Sequence, residues 1–415
     1  MKKYLLLILL CVLASANAQI YRTKILNQNI KTLQIGLVGQ KFSLPVIELI
    51  GSDVLQISFD EMSHGAHAYS FKVIHCNADW TQSDLVINQY LTGYSTENIT
   101  DVTKSLNTTF LYTHYAFQLP NSDMSFKVSG NYVVLIYEDT NIENPIAQAC
   151  FSIVESRVAV SGKIRGNTDT ELNGKLQQLD FEVAFNGYSV REPASEIKVM
   201  VRQNNRLDNQ VTELQPTYMS SSSLSFINNK ALIFEGGNEF HRFDISSVYA
   251  AGEGVAGIQF NKPYYDAYLY DNKIQSTHIY SSEMDVNGKF IVNMQNAQND
   301  DTDADYMWVH FNLPTKQAFF DGQLFLGGEF NYNQLNDAVR MKYDGKTESY
   351  KQTVLLKQGG YNYQYRFVPK GEQKAIVGRV DGSFWQAGNE YTVYVYHRPW
   401  GERYDKLVGV KIINN

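Results

Sequence analysis

Apolar and polar residues alternate with a period of two along much of this chain, and that rhythm argues against a helical fold. It is plain in Val54–Phe59, Tyr69–Ile74, Asn131–Tyr137, Glu196–Arg202, Tyr306–Phe311, Asn362–Phe367 and Glu390–Tyr396. Successive side chains on a strand point to opposite faces, so each run lays one face on a core. Enrichment in Val, Ile, Tyr and Phe suits the same half-buried surface. Between the runs stand Asn173-Gly174, Asn186-Gly187, Asn287-Gly288, Asp321-Gly322, Asp344-Gly345 and Asp381-Gly382. Glycine there accepts the positive φ of tight hairpin turns. Only Ser83–Tyr90 suggests a helix, a short one opened by Ser83 as its cap. Strands joined by turns without intervening helices predict an all-β protein built of tandem antiparallel β-sandwiches.

Two changes in texture divide the 415 residues. Asn296–Asp305 (NAQNDDTDAD) reads as an acidic linker before a strong strand, and apolar strands give way to polar residues over Glu155–Lys175. The expected units are 19–155, 156–300 and 301–415, each of ordinary domain size. The 28 Tyr outnumber the 22 Phe, which points to many rings with a wet hydroxyl edge. A formal charge of −7 offers no broad basic surface, so no nucleic-acid partner is expected.

The first 18 residues have the order of a secretory signal. Lys2 and Lys3 precede the apolar run Tyr4–Ala14, and Ala16-Asn17-Ala18 is a small-x-small cleavage site. Cleavage would leave Gln19 first. The run falls short of the ~20 residues a bilayer span needs. Cys11 follows Leu9-Leu10 in mid-run, which does not suit a lipoprotein acceptor. No later stretch is long and apolar enough to span, so an exported protein without direct membrane insertion is expected. Its compartment permits disulfides. Cys76 and Cys150 remain after cleavage, and the sequence leaves open whether they pair or stay as two packed thiols.

Each motif with a possible chemistry lacks a necessary part. Gly252-Glu-Gly-Val-Ala-Gly257 fits G-x-G-x-x-G, but Ile258–Pro263 after it is not the helix that would hold a pyrophosphate. Asp301, Asp303 and Asp305 suggest a calcium loop, yet Tyr306 stands where the loop needs Gly and Asn312 where it needs Glu. His64, His67, His75 and His114 gather in the first unit without the spacing of a zinc site. Asp79 follows His75 closely, but nothing supplies a nucleophile with a base and an orienter. Asn98 and Asn107 match the glycosylation pattern by chance. The expectation is a protein with no catalytic, cofactor-binding or metal-binding residues, and not an enzyme.

Several strings together resemble the plug-protein family of the type IX secretion system of Bacteroidetes. They are His75–Trp80 (HCNADW), Asn107–Tyr115, Leu119–Asn121, Ser129–Tyr132, Leu355–Tyr365, Gly382–Gln386 and Gly401–Tyr404. The resemblance implies a periplasmic protein that binds the periplasmic end of a very large outer-membrane β-barrel translocon and occludes it when cargo is absent. The last unit also resembles an early-set immunoglobulin-like domain of the glycogen-binding kind, on Gly327–Asn331 and Leu355–Tyr365. Such modules carry Trp two residues after the Phe-Asn pair, where this chain has Asn333, so a ring for stacking a sugar is missing. The alternative function is an exported carbohydrate-binding or surface-glycan protein of the outer envelope. Tyr361, Tyr363 and Tyr365 share one strand face; exposed they would serve either function, buried they would fill a core.

Overall fold

The computed structural model describes residues 19–415 apart from 66, 169, 172, 173 and 276–278. The leader Met1–Ala18 and Asn173 of one expected turn lie outside the described residues. Every alternating run named above is a strand: Leu55–Glu61, Tyr69–Cys76, Gly130–Glu138, Ile197–Gln203, Tyr306–Pro314, Gly359–Pro369 and Glu390–His397. The protein is nearly all β, and its strands pair mostly antiparallel. Among the described residues two pairings are parallel, Val46–Glu48 with Ala147–Val154 and Tyr264–Leu269 with Tyr306–Pro314. Among the described residues α-helix is confined to single turns at Ile87–Tyr90, Pro193–Glu196 and Asp300–Asp303, and no helix is long and apolar enough to cross a membrane.

Ser83 is not the cap expected of it. The helical turn starts after Val86, and the Ser83 hydroxyl instead bonds His75 Nδ1 at 2.8 Å. The turn signals fare unevenly. Asp344-Gly345 does link a paired hairpin, Lys342–Asp344 with Ser349–Lys357. The tighter hairpin of Val255–Asn261 with Tyr264–Leu269 turns on Lys262-Pro263, a pair without glycine.

Three hydrophobic cores organise the chain. In the first, the sheet holding Ala147–Val154, Gly130–Glu138 and Tyr69–Cys76 faces the sheet of Ile30–Leu37, Leu55–Glu61, Thr113–Leu119 and Asp101–Lys104. Phe59, Phe71, Tyr115, Tyr132 and Phe151 fill the space between. Each such ring contributes about 1.5–3 kcal/mol by leaving water. The buried residues of this core run from Ile30 to Ile153.

The units expected at 156–300 and 301–415 are not the ones the other cores follow. Ile197–Gln203 pairs along its length with Glu390–His397, which pairs in turn with Lys406–Asn414. Val199, Val201, Tyr391, Val393, Val395, Val408 and Ile413 therefore share a core with Phe181, Phe226 and Phe234. His241–Asp244 and Phe290–Val292 both pair with Gly359–Pro369, and their side chains join a separate core built from residues 243–380. The chain thus leaves its middle unit near 235, builds the third, and returns near 390. The acidic stretch is exposed over much of 296–301 and buried at Thr302, Ala304 and Asp305, and Asn299 caps its turn by accepting from the Asp301 amide at 3.1 Å.

Cys76 and Cys150 are both free and buried. Cys76 lies opposite Asn131 and Cys150 opposite Val133, on the two strands that flank Gly130–Glu138. Two strand spacings place their Cα atoms at least about 9.5 Å apart, beyond the ~7 Å that a disulfide tolerates. The thiols pack with Tyr21, Ile74, Val133 and Leu135 as small apolar groups.

Candidate functional site: the joints between the units

Several deeply buried polar groups of this protein lie where the units meet. At the joint of first and third units, Lys357 Nζ lies 2.6 Å from Asp60 Oδ2, and both side chains are 1% exposed. Asp60 also meets His114 Nδ1 at 2.7 Å and accepts from the Tyr306 hydroxyl at 2.7 Å. Thr32 donates to that hydroxyl at 2.6 Å. Lys357 donates to the Asp301 carbonyl at 2.6 Å and stands 4.2 Å above the Tyr112 ring. Burial alone would push Asp60 up, but Lys357 and His114 win and hold its carboxyl below the usual range. Beside them Asp305 accepts from the Thr109 and Phe110 amides at 2.7 and 3.1 Å, and Phe110 stacks on Tyr264 at 3.8 Å.

The joint of first and middle units is centred on Asp405. Its carboxylate accepts from the Ala78 amide at 3.0 Å, from Lys198 at 3.0 Å and from Arg398 at 2.9 Å. Arg398 reaches on to Asn77 Oδ1 at 2.6 Å, and Tyr396 donates to Asn131 Oδ1 at 3.0 Å. Ala78, Val154, Met200, Tyr394, Tyr396 and Leu407 form one buried cluster around these bonds. Gly130 has φ +138°, and a Cβ there would stand 2.5 Å from His75 Nε2, so only glycine lets the strand pass the ring.

At the middle and third joint, Arg206 pairs with Asp208 at 2.6 Å, both nearly buried. Asp208 also accepts from the Ala375 amide at 2.9 Å. Burial would raise the Asp208 pKa, but Arg206 beside it lowers it to about 2. Trp385 lies flat over Gly166, where a Cβ would come within 2.3 Å of the indole.

Most of the strings that carried the family resemblance fall on these joints. His75–Trp80 and Ser129–Tyr132 supply Asn77, Ala78, Gly130 and Asn131, and Gly401–Tyr404 supplies Tyr404 against His75. Asn107–Tyr115 supplies Thr109, Phe110, Tyr112 and His114, and Leu355–Tyr365 supplies Lys357. Asp60, Arg398 and Asp405 were not singled out from the sequence, because their partners lie far off in the chain and leave no local spacing.

The histidines take separate partners. His64 bonds Ser105 at 2.9 Å, His67 bonds Glu61, and His114 bonds Asp60. His75 is fully buried, accepts from Ser83 at Nδ1 and donates from Nε2 to the Ser129 carbonyl at 3.2 Å. Asp79 accepts from the amide and hydroxyl of Thr81 at 3.0 and 2.6 Å. Asp300 and Asp303 accept backbone amides of residues 294, 298 and 299. Gly252–Gly257 runs straight into the strand Val255–Asn261. No group of three or more His, Cys, Asp or Glu among the described residues could hold a metal ion.

His75 gives the joint of first and middle units a pH dependence. Burial lowers its pKa from 6.5 to about 4. The unfolded chain therefore binds a proton that the folded chain refuses between about 6.5 and about 4. Stability should fall as pH drops through that window, by roughly 3 kcal/mol for the full shift. Urea unfolding at stepped pH measures the slope, and His75→Gln should flatten it. An equal slope in the variant would refute this account.

A family model described as "Type 9 secretion system plug protein 1st domain" matches residues 30–155. The whole chain is similar to the crystal structure of a hypothetical protein from Parabacteroides merdae, with 39% identity and a TM-score of 0.93, covering 96% of this chain and 100% of that one. A native alpha-2-macroglobulin from Escherichia coli covers 49% of this chain and 97% of its own at 10% identity; its TM-score of 0.19 is too low to inform the fold. No curated protein matches the chain at a significant level. The matched 30–155 segment coincides with the first core, and the all-β architecture is that of the Parabacteroides protein. The chain belongs to the type 9 secretion system plug protein family.

Proposed function

We propose that the mature protein resides in the periplasm and closes the periplasmic end of the large outer-membrane barrel translocon of the type IX secretion system. The match of residues 30–155 to the plug family carries this reading. We take its three bodies to be 19–155, 156–235 together with 390–415, and 236–389. Each is read as a β-sandwich, the third as the early-set immunoglobulin kind. Joints filled by buried ion pairs and hydrogen bonds favour one arrangement of these bodies, and a body that is already rigid loses little entropy on docking. Phe320 (93% exposed), Tyr249 (92%) and Trp400 (89%) are rings available to such a partner. The glycan alternative gains nothing from the tyrosine stripe. Tyr361, Tyr363 and Tyr365 are 3%, 3% and 0% exposed, and Asn333 is tied to Arg366 and the Asn205 carbonyl.

Affinity purification from detergent-solubilised envelopes tests the reading. The expected result is co-purification with one very large outer-membrane barrel protein, and an N-terminus at Gln19 on the purified plug. Retention on glycan resin without any barrel protein would overturn it.

A further inference from the structure

A cleft of about 970 Å³ opens where the units meet, at the upper end of the size range of small-ligand sites. Its middle-unit wall is the outer face of the sheet that holds Ile197–Gln203. Val199 and Val201 point into the middle core, so Lys198, Met200 and Arg202 project from the opposite face. Tyr394 lies across from Met200 and Tyr396 across from Lys198. Lys198 is committed to Asp405.

Arg202 is different. It is only 8% exposed and lines the cleft. Its Nε donates to Gln210 Oε1 at 2.7 Å, and its guanidinium carbon lies 5.5 Å from the Tyr394 ring centre. Among the described residues no carboxylate pairs with it. The acids on the cleft wall are engaged or turned to solvent: Asp79 holds Thr81, Glu329 accepts from Asn205 at 3.2 Å, Asp301 is 53% exposed beside His114, and Glu213 is exposed. A second guanidinium stands close behind the wall. Arg366 is fully buried and donates to Asn333, which lines the cleft, while its Nε and Nη1 have no partner. Buried charges are ordinarily paired, and Arg202 has only neutral partners, the Gln210 amide oxygen and the ring and hydroxyl of Tyr394. A planar oxyanion would complete the set, since a carboxylate matches two parallel guanidinium N–H groups.

We propose that this cleft binds a carboxylate-bearing ligand with an apolar body, its carboxylate on Arg202 and its body against Met200 and Tyr394. The same chemistry is offered by a small free acid and by the C-terminus of a polypeptide.

Calorimetry on the full mature protein tests the site with 3-phenylpropionate, its neutral amide, and the peptide acetyl-Val-Ala-Phe with a free or amidated C-terminus. Each acid should bind more tightly than its amide by on the order of tenfold or more, as expected for a hydrogen bond to a charged group. Arg202→Met should remove that preference. Tighter binding of the peptide acid identifies a polypeptide terminus as the ligand, and the reverse a small acid. Equal binding of acid and amide, an unchanged preference in the variant, or no binding of either acid at millimolar concentration would overturn the proposal. Should the variant fold poorly, crystals of the native protein soaked in 3-(4-bromophenyl)propionate give a second readout: bromine in the cleft supports the site, and bromine elsewhere or nowhere refutes it. Neither result bears on occlusion of the translocon, which is tested by permeability.

Discussion

Cells that lack this protein should become sensitive to vancomycin-sized antibiotics that an intact outer membrane keeps out. The expectation follows from the proposed role. A barrel wide enough to pass folded cargo encloses a water-filled lumen, and the lumen of a large barrel conducts whatever fits its diameter. Only a protein body occupying one end can stop that. The leak should need the translocon, so removing both proteins should restore the barrier. Secretion should continue, because a stopper supplies no driving force. The measurement is antibiotic sensitivity in the single and double deletion strains. Docking is expected to rest on apolar and aromatic contacts, and moderate salt should weaken it little, since salt screens mainly exposed charges. Unchanged sensitivity in the single deletion, with the translocon present, would remove the support for occlusion.

Lys357→Met should destabilise the protein by about 3–5 kcal/mol, the usual cost of leaving one member of a buried ion pair without its partner. The methionine fills most of the space, so the loss is electrostatic: Asp60 stays 1% exposed with only His114 and Tyr306 to satisfy it. Acid should act in the same direction. Asp60 has its pKa held below the ordinary value, so its contribution is present above the unfolded pKa and is lost as pH falls through the lower folded one. Urea unfolding checks the magnitude, and limited proteolysis at residues 302–305 checks the place, because Thr302, Ala304 and Asp305 are buried and bonded across the joint to Leu106, Tyr112 and Thr109. A loss under about 1 kcal/mol, as for an exposed pair, would show that the joint does not hold the first and third units together.

Strand identity was legible in the sequence because it depends on neighbours two residues apart. Leu55, Ile57 and Phe59 alternate with residues that leave that core, and the same holds in every run read from the sequence. Which strand pairs with which is set by partners hundreds of residues away. Nothing near Ile197–Gln203 marks Glu390–His397 as its neighbour, so the middle unit read as continuous. The joints were half legible. His75, Asp79 and His114 stood out by residue type, but the type suggested chemistry, whereas burial and partners make His75 and His114 parts of a seam. Lys357 ends an alternating run and looks like any residue returning to solvent. Arg202 gave no signal either, since an alternating Arg on a strand ordinarily faces water. The resembling strings came closest to the joints, although no local spacing explained what they do.

The return of the chain to its middle unit sets an order of events during folding. A chain that emerges from its N-terminus presents the first unit early, since the buried residues of that core all lie within 30–153. The middle unit has to wait. Its strands at 159–235 emerge with one side of their core uncovered, the third unit follows and can close on residues 243–380, and only then do Glu390–His397 and Lys406–Asn414 arrive to finish it. Contacts so distant along the chain form slowly. The middle unit therefore stays open until nearly all of the chain has emerged, and its strands at 159–235 keep an apolar face uncovered for that interval.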